Sequence, residues 1–262
     1  MSQPASRAGA GTGLRQFLLL LLVLLLGCRS AAQDERLVRV VAAASLRDAL
    51  TEMAAAFERE SPGVRVQLSF VASGAAVQQI TEGAPFDLFF SADERYAQEV
   101  ENRGKAVAGT RRVYARGRLV LWVPTRLGLE PTWPAALEDT RIRHVAMANP
   151  ETAPYGRAAK QALDKAGVLD RIKDKLVFGQ DVSQTAELAL ASADAAFIPR
   201  ANAVGPTLSA QGRHVEVPAE LYDPLLQSCV LLTAKPEARA LYDYALGEEG
   251  RRILAAHGFD LP

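Results

Sequence analysis

The sequence predicts an α/β protein of two lobes, in which mixed, mainly parallel sheets are covered by helices and a ligand cleft lies between the lobes. Strand-like and helix-like hydrophobic patterns alternate from residue 37 onward, which is typical of sheets covered by helices. The 262 residues are 49% hydrophobic and only 6% aromatic, so the chain can form one large core or two modest ones. The chain is predicted to cross between the lobes near Gly117 and again within residues 199–206.

Apolar or alternating runs predict nine strands along the chain. They cover residues 37–44, 64–71, 87–91, 118–123, 144–148, 175–178, 195–198, 214–217 and 225–233. Two helical patterns, 238–246 and 248–257, close the chain, and shorter helical patterns follow several of the strands. The two crossings assign residues 33–117 and 203–262 to lobe I and residues 118–202 to lobe II.

Residues 1–32 have the pattern of an export signal. Two arginines precede an almost pure leucine run over residues 17–26, and small residues follow it. The run is shorter than the roughly 20 residues of a membrane-spanning helix, so we expect the mature protein to be exported to the periplasm. Two processing sites compete: a lipoprotein site, which would anchor the protein through a lipid on Cys28, and an ordinary signal peptidase site after Ala32.

Four predicted strands run directly into predicted helices, and these joints are suited to an anion. Ser45 and Ser73 stand at the first two joints, and residues 149–156 and 179–183 form the other two. A helix start presents unpaired amides and a partial positive charge, and Ser45 is predicted to be the N-cap of its helix. At any single joint, plain capping is the alternative. Because the joint recurs, we expect the four helix starts to point at one anion.

The composition excludes several classes of function. The 30 basic and 30 acidic residues cancel, so no electrostatic case exists for binding nucleic acid, and only a lipid would attach the protein to a membrane. No metal-ligand spacing, phosphate loop or dinucleotide fingerprint is present, so no cofactor is expected. An enzyme is not predicted, because no Gly-x-Ser-x-Gly turn occurs and His144, His214 and His257 lie in strand-like or C-terminal helical patterns. Cys229 is predicted to be a buried, inert thiol.

Three segments resemble the substrate-binding proteins of molybdate ABC transporters, which have the type II periplasmic binding protein fold. They are residues 42–46 (AAASL), residues 83–93 (GAPFDLFFSAD), which are the most specific, and the closing pattern over 250–259. The resemblance covers nearly the whole mature chain. It implies a monomeric solute-binding protein that captures molybdate, and also tungstate, and delivers it to the permease subunits of an ABC transporter.

The resemblance also implies a set of binding residues. In this family a dehydrated tetrahedral dianion is held by hydroxyls and backbone amides, without a basic side chain or a metal. Transferred to this chain, these contacts are the hydroxyl and amide of Ser45 and of Ser73 on one lobe. The backbone amides of Tyr155 and Val182 are the contacts from the other lobe.

One departure from the family concerns a tyrosine that several members use at the strand end before the second crossing. Pro199 stands at the matching place, and it offers neither a hydroxyl nor an amide proton. The contact is then lost, or it is supplied by water, Arg200 or Asn202; a solvated arginine is the alternative for Arg200. Ala44 and Gly74, each beside a serine, are further candidate contacts.

The sequence is also compatible with other functions. The guest could be another oxyanion such as sulfate, or a small organic acid, which would be expected to require an arginine clamp. The effector domain of a transcription regulator shares the two-lobed fold but would carry a DNA-binding helix pair and no export signal. Asp93 and Asp181 are predicted to cap helices.

Overall fold

The computed structural model describes residues 36–262. The predicted export signal and Cys28 lie outside the described residues. By its contacts the chain divides into Met1–Leu37 and Val38–Pro262, and the site described below belongs to the second of these units. Within residues 36–262, no helix combines the length and the apolar character that crossing a bilayer requires.

The first sheet is a mixed sheet of five strands. Its strands are β1 (Leu37–Ala43), β2 (Arg65–Val71), β3 (Leu88–Ser91), β4 (Arg112–Gly117) and β10 (Leu225–Leu231). They lie in the order β2-β1-β3-β10-β4. β1 and β3 are parallel, whereas β10 is antiparallel to both of its neighbours, β3 and β4. A strand from near the end of the chain therefore lies inside a sheet that the start of the chain begins.

The second sheet is also mixed and has five strands. They are β5 (Leu119–Pro124), β6 (Val145–Ala148), β7 (Leu176–Gly179), β8 (Ala195–Pro199) and β9 (Gly212–Glu216). The order is β7-β6-β8-β5-β9. β6 is parallel to β7 and β8, and β5 is antiparallel to β8 and β9. The prediction of an α/β fold with mixed sheets is confirmed.

Helices pack against both sheets through apolar residues spaced at about one helical turn. The α-helices are α1 (Arg47–Glu60), α2 (Ser73–Thr81), α3 (Glu94–Asn102), α4 (Pro154–Lys165), α5 (Leu169–Ile172), α6 (Val182–Ala191), α7 (Arg200–Ala203), α8 (Pro206–Gln211), α9 (Pro236–Leu246) and α10 (Glu248–Ala256). Short 3₁₀ turns cover Ala44–Leu46, Thr125–Leu127, Ala135–Glu138, Lys173–Lys175 and Ala219–Leu221. We call the first sheet with α1–α3, α9 and α10 the first-sheet side, and the second sheet with α4–α8 the second-sheet side.

All nine predicted strands are present, but two features of the sequence interpretation were wrong. β4 was not predicted, because it carries two arginines and is defined by its pairing with β10, more than a hundred residues away. β9 belongs to the second sheet, although residues 203–262 were assigned to lobe I. The chain therefore returns to the first sheet after β9, within residues 217–224, and not within 199–206.

The two crossings between the sheets lie side by side and are bonded to each other. Leu119, at the first crossing, donates its amide to Tyr222 Oη (3.2 Å) and accepts at its carbonyl from the Val217 amide (3.0 Å). Gly117 lies against Tyr155, and a Cβ at Gly117 would come within 2.2 Å of Tyr155 Oη. This position therefore requires glycine because of the close approach of a side chain.

The C-terminal tail is tied to the same region through Asp260. Its carboxylate accepts hydrogen bonds from Arg118 Nε (2.6 Å) and from the Arg200 guanidinium, and its carbonyl accepts from the Arg116 amide (2.7 Å). Burial alone would raise the pKa of Asp260, but the bonds from Arg118 and Arg200 lower it overall. The first crossing and the chain end are thus fixed together.

Cys229 lies in the middle of β10 and is fully buried. Burial raises the pKa of its thiol strongly, because the charged thiolate would lose its hydration. The prediction of a buried, unreactive thiol agrees with this environment.

Candidate functional site

A small cavity lies where helix starts from the two sides face each other. Its lining from the first-sheet side comprises Ala43, Ala44, Ser45, Val71, Ala72, Ser73 and Ala92. Its lining from the second-sheet side comprises Ala153, Pro154, Tyr155, Asp181 and Val182. The cavity measures about 10 Å³, which suits a small ion rather than a metabolite-sized ligand.

The structure brings the four principal predicted residues to this one cavity. Ser45 and Ser73 line it from the first-sheet side, and Tyr155 and Val182 line it from the second-sheet side. Ala44, an additional candidate, is also part of the lining. The recurrence of strand-to-helix joints in the sequence therefore located residues that meet in space.

Ser45 carries a hydroxyl whose hydrogen-bonding capacity is unused. Its side chain is buried, with the residue 5% exposed, and among residues 36–262 no partner lies within hydrogen-bond reach of Oγ. A buried polar atom without a partner costs about 1–3 kcal/mol, so its retention in a cavity indicates a role toward a guest. The prediction that Ser45 is an N-cap was wrong. Ser45 lies inside the 3₁₀ turn Ala44–Leu46, whose N-cap is Ala43.

Ser73 is the first residue of α2 and is fully buried. Its Oγ accepts a hydrogen bond from the Ala92 amide (3.1 Å), which leaves the hydroxyl proton free to be donated. A serine hydroxyl both donates and accepts, so the Ala92 contact orients the oxygen without using the proton. Ser73 is therefore positioned as a donor to the cavity.

The helix starts at the cavity leave backbone amides for a guest. α2 begins after Ala72 and α4 begins after Ala153, and neither of these N-cap residues forms a side-chain cap. Amides in the first turn of a helix have no partner within the helix itself. In α4 the first position is Pro154, which has no amide proton, so Tyr155 is the first residue of the helix that can donate.

α6 is the exception, since its start is capped. Asp181 Oδ1 accepts from the amides of Ser183 (2.8 Å) and Gln184 (3.0 Å), which confirms its predicted capping role. The cap engages the second and third residues of the helix. The cap does not engage the amide of Val182, the first residue of α6, which is itself part of the cavity lining.

Tyr155 lines the cavity, and its side chain connects α4 to the first sheet. Tyr155 Oη accepts a hydrogen bond from Gln227 Nε2 on β10 (3.0 Å). Burial raises the pKa of Tyr155, so the phenol stays neutral and gives the buried Gln227 amide a partner. Gln227 Oε1 in turn accepts from Tyr114 Oη (3.1 Å).

Three of the additional candidates do not line the cavity. The Gly74 amide donates to the Thr152 carbonyl (3.0 Å), so it is already engaged by the opposite side. Pro199 ends β8 and precedes α7. The Arg200 guanidinium is held by the Gly258 carbonyl, Glu216 and Asp260, because carboxylates and carbonyls are strong guanidinium partners.

Asn202, the other candidate to replace the family tyrosine, is not part of the lining either. Its Oδ1 is buried without a hydrogen-bond partner among the described residues.

The electrostatics of the cavity come from dipoles and hydroxyls. Within residues 36–262, no lysine or arginine lines the cavity, and no group of three or more metal-ligating side chains occurs. Converging helix starts place partial positive charge and fixed donors where a hydrated anion would otherwise need water. The arrangement can therefore bind a small anion through donors alone.

Sequence reasoning missed an ion pair beside the cavity. Its partners, Asp93 and Arg157, follow the lining residues Ala92 and Tyr155 closely in sequence, and we call this region the rim of the cavity. Arg157 Nη2, on the second-sheet side, contacts Asp93 Oδ2, on the first-sheet side. Asp93 is also the N-cap of α3, as predicted, and accepts from the Arg95 amide (2.8 Å). The two partners of the ion pair are 64 residues apart, and no local pattern in the sequence connects them.

Comparisons with known proteins agree with the fold. Residues 38–260 match the family model for bacterial extracellular solute-binding proteins. The molybdate-binding protein ModA of Azotobacter vinelandii is 35% identical over 90% of this chain and 94% of its own length. ModA of Rhodobacter capsulatus is 34% identical over 91% of this chain and 93% of its own length.

A solved structure extends the agreement to three dimensions. The periplasmic molybdate-binding protein of Azotobacter vinelandii superposes with a TM-score of 0.79 at 33% identity, covering 86% of this chain and 99% of that one. The family model covers most of the chain, and two relatives exceed 30% identity over nearly its whole length. The chain belongs to the family of bacterial extracellular solute-binding proteins.

Proposed function

We propose that this protein captures molybdate, and also tungstate, outside the cytoplasmic membrane and delivers it to the permease subunits of an ABC transporter. The observation that carries the proposal is the buried Ser45 hydroxyl, which has no hydrogen-bond partner among the described residues and belongs to a residue that lines the cavity. Three uncapped or partly capped helix starts lie at the same cavity. The similarity to molybdate-binding proteins over nearly the whole chain supports the choice of anion.

The donors would replace the hydration shell of the dianion. They comprise the hydroxyls of Ser45 and Ser73 and the amides of Ser45, Ser73, Tyr155 and Val182, with Ala44 as an additional amide. A hydrogen bond to a charged acceptor contributes about 1.5–3 kcal/mol, so several such bonds offset the lost hydration and the ordering of the two sides. Binding needs no cation, no cofactor and no chemical step, and we propose that the protein is not an enzyme.

Selectivity would follow from the scarcity of acceptors in the cavity. Phosphate near neutral pH carries a proton that needs an acceptor, whereas molybdate, tungstate and sulfate carry none. Asp181 is the one carboxylate in the described lining, and its Oδ1 is already engaged by two helix amides. Discrimination between molybdate and sulfate then depends on cavity size, since their charges are equal.

The alternatives are another oxyanion, such as sulfate, or a small organic acid. An organic acid is expected to need an arginine clamp, and the nearest candidate from the sequence, Arg200, is bound to Asp260 and the Gly258 carbonyl. The small cavity also favours an inorganic anion. Sulfate is the closer competitor.

Capture would involve closure of the first-sheet side against the second-sheet side about the two crossings. Only the closed form completes the donor set, so the guest would favour that form. We further propose that the protein acts as a monomer in the periplasm, exported by residues 1–32 and, in the lipoprotein alternative, anchored through Cys28.

Isothermal titration calorimetry of the purified protein with molybdate, tungstate, sulfate and phosphate tests the proposal. We expect tight binding of molybdate and tungstate, weaker binding of sulfate and no measurable binding of phosphate. Sulfate binding as tight as molybdate binding would remove the molybdate assignment and leave the oxyanion site. Absence of heat with all four anions would reject an oxyanion-binding function.

A further inference from the structure

A group of polar contacts joins the two sides at the rim, outside the proposed anion site. Arg157 on α4 pairs with Asp93 at the start of α3, and its guanidinium lies 5.6 Å from the centre of the Tyr96 ring. Tyr96 Oη donates to the carbonyl of Glu151 (3.3 Å), which precedes α4. We call Asp93, Tyr96 and Arg157 the rim latch.

We propose that the rim latch holds the closed form and thereby sets the affinity and the release rate of the bound oxyanion. This inference rests on the proposed function and adds positioning residues that touch no part of the guest. Asp93 and Tyr96 lie on the first-sheet side, whereas Arg157 lies on the second-sheet side, so the latch contacts depend on closure.

The position of Arg157 explains how the latch reaches the anion site. Arg157 lies in the first turn of α4, two residues after Tyr155, whose amide is a proposed donor. A bond from Arg157 to the opposite side therefore fixes the start of α4 against the cavity. A displacement of this helix start would move the Tyr155 amide away from the guest.

The surroundings of the ion pair strengthen it relative to an ordinary surface pair. The side chains of Asp93 and Arg157 are 11% and 22% exposed, so solvent and salt screen them less than exposed charges. The Gly74 amide bonds to the Thr152 carbonyl nearby (3.0 Å), and a Cβ at Gly74 would come within 3.0 Å of that carbonyl oxygen. The two sides thus meet closely at the same rim.

Asp93 has a second effect on the electrostatics of the site. It neutralises the one guanidinium in the first turn of α4, a helix whose start faces the anion. The oxyanion is then bound by helix dipoles and hydroxyls, while the Arg157 guanidinium near it pairs with Asp93 and stabilises the closed form. Loss of closed-form contacts lowers the closed fraction, and the apparent dissociation constant rises by the same factor.

Four single variants of the whole protein, and the double variant of Asp93 and Arg157, test the latch. Asp93→Asn keeps an acceptor for the α3 cap but removes the charge, and Arg157→Gln removes the guanidinium. Arg95→Gln is the matched control, because Arg95 also pairs with Asp93 (3.2 Å) but lies on α3, on the same side of the cleft. Arg157→Lys serves as the conservative variant, which keeps the charge without the planar fork.

Molybdate affinity, the dissociation rate and the melting temperature of the ligand-free protein are the readouts. We expect Asp93→Asn and Arg157→Gln each to weaken binding about fivefold to thirtyfold, mainly through faster dissociation. The double variant should lose little more than either single one, because both remove the same contact. Arg157→Lys should recover part of the affinity, and Arg95→Gln should bind as the wild type does.

Three results would overturn the latch. The first is an unchanged dissociation constant and dissociation rate in Arg157→Gln. The second is a loss of affinity in Arg95→Gln equal to that in Arg157→Gln. The third is a fall in the ligand-free melting temperature that accounts for the whole loss of affinity. Any of them would reduce the ion pair to a general contribution to stability.

A failure of the proposed function would be recognised separately. If the wild type binds sulfate instead of molybdate, the same comparisons are made with sulfate. If it binds none of the four anions, small-angle X-ray scattering of the ligand-free proteins decides. A larger radius of gyration in Arg157→Gln than in the wild type and Arg95→Gln would support the latch even though the transport function had failed. Equal radii in the three proteins would reject the latch.

Discussion

The helix starts at the cavity differ from the helix start at its rim. α2 and α4 begin after Ala72 and Ala153, which form no side-chain cap, whereas α3 begins after Asp93, which accepts from the Arg95 amide. Alanine is a poor N-cap, and it typically costs about 1 kcal/mol relative to serine or aspartate. Because α2 and α4 have no side-chain cap, their first amides are available to a bound anion. The carboxylate of Asp93 caps α3 and, in our proposal, also holds the two sides of the cavity together.

α6 lies between these two cases. Asp181 caps the second and third amides, and the first amide, that of Val182, remains. The Asp181 carboxylate therefore stabilises the start of α6, but its negative charge opposes the binding of an anion in the cavity. Three changes test this comparison, in decreasing order of expected effect.

A new cap on α4 should have the largest effect. In Ala153→Asn the side chain would accept from the first amides of α4, including that of Tyr155, and remove them from the guest. We expect molybdate binding to weaken by about tenfold to 150-fold, since the lost charged hydrogen bond from the Tyr155 amide contributes about 1.5–3 kcal/mol. Titration calorimetry measures the change.

Lys235→Asn is the control for that experiment. Lys235 is the N-cap of α9, forms no side-chain cap and does not line the cavity. The same new residue should leave the dissociation constant unchanged there. Wild-type affinity in Ala153→Asn would show that the start of α4 donates nothing to the anion.

The two serines should give equal losses of affinity but different losses of stability. Ser45→Ala and Ser73→Ala should each weaken molybdate binding by about tenfold to a hundredfold. Ser45 Oγ has no partner among the described residues, so Ser45→Ala should not lower the stability of the ligand-free protein. Ser73→Ala strands the Ala92 amide and should lower it by about 1–3 kcal/mol.

Urea unfolding of the ligand-free variants, together with calorimetry, checks this pair. Unchanged molybdate affinity in both serine variants would reject the assignment of the site. A stability loss in Ser45→Ala equal to that in Ser73→Ala would instead contradict the unpaired state of the Ser45 hydroxyl.

Asp181→Asn should change molybdate affinity least of the proposed variants, and it should increase the affinity rather than lower it. Asparagine still caps α6 but removes a negative charge beside a dianion, so molybdate affinity should rise about threefold to tenfold. Lower affinity in this variant would mean that Asp181 supports the guest rather than opposing it. Calorimetry at low and high salt provides the measurement, since the gain should shrink as salt screens the charge.

The sequence was sufficient for those parts of the fold that local patterns encode. All nine predicted strands are present, because their apolar or alternating residues reflect burial within the strand itself. The joints that lead into α2, α4 and α6 were found for a similar reason, since each comes within a few residues of a strand end. The resemblance to the molybdate-binding family then implied the particular residues Tyr155 and Val182. The meeting of these joints at one cavity followed from their recurrence.

The errors have long-range causes. β4 depends on pairing with β10, and β9 joins the second sheet through β5, so neither assignment is visible in a local window. Ser45 looked like an N-cap because a serine between strand and helix usually is one. The 3₁₀ turn Ala44–Leu46 shifts the start of α1 to Arg47, which frees the hydroxyl for another partner.

The position of β10 also bears on biogenesis. This strand is inserted between β3 and β4, so the first sheet lacks its inner member until nearly the whole polypeptide has been synthesised. Pairings between such distant segments raise the contact order and slow folding. If the protein is exported as proposed, the late completion of this sheet would help to keep the chain unfolded before translocation, and the cavity would form only after the chain has crossed the membrane.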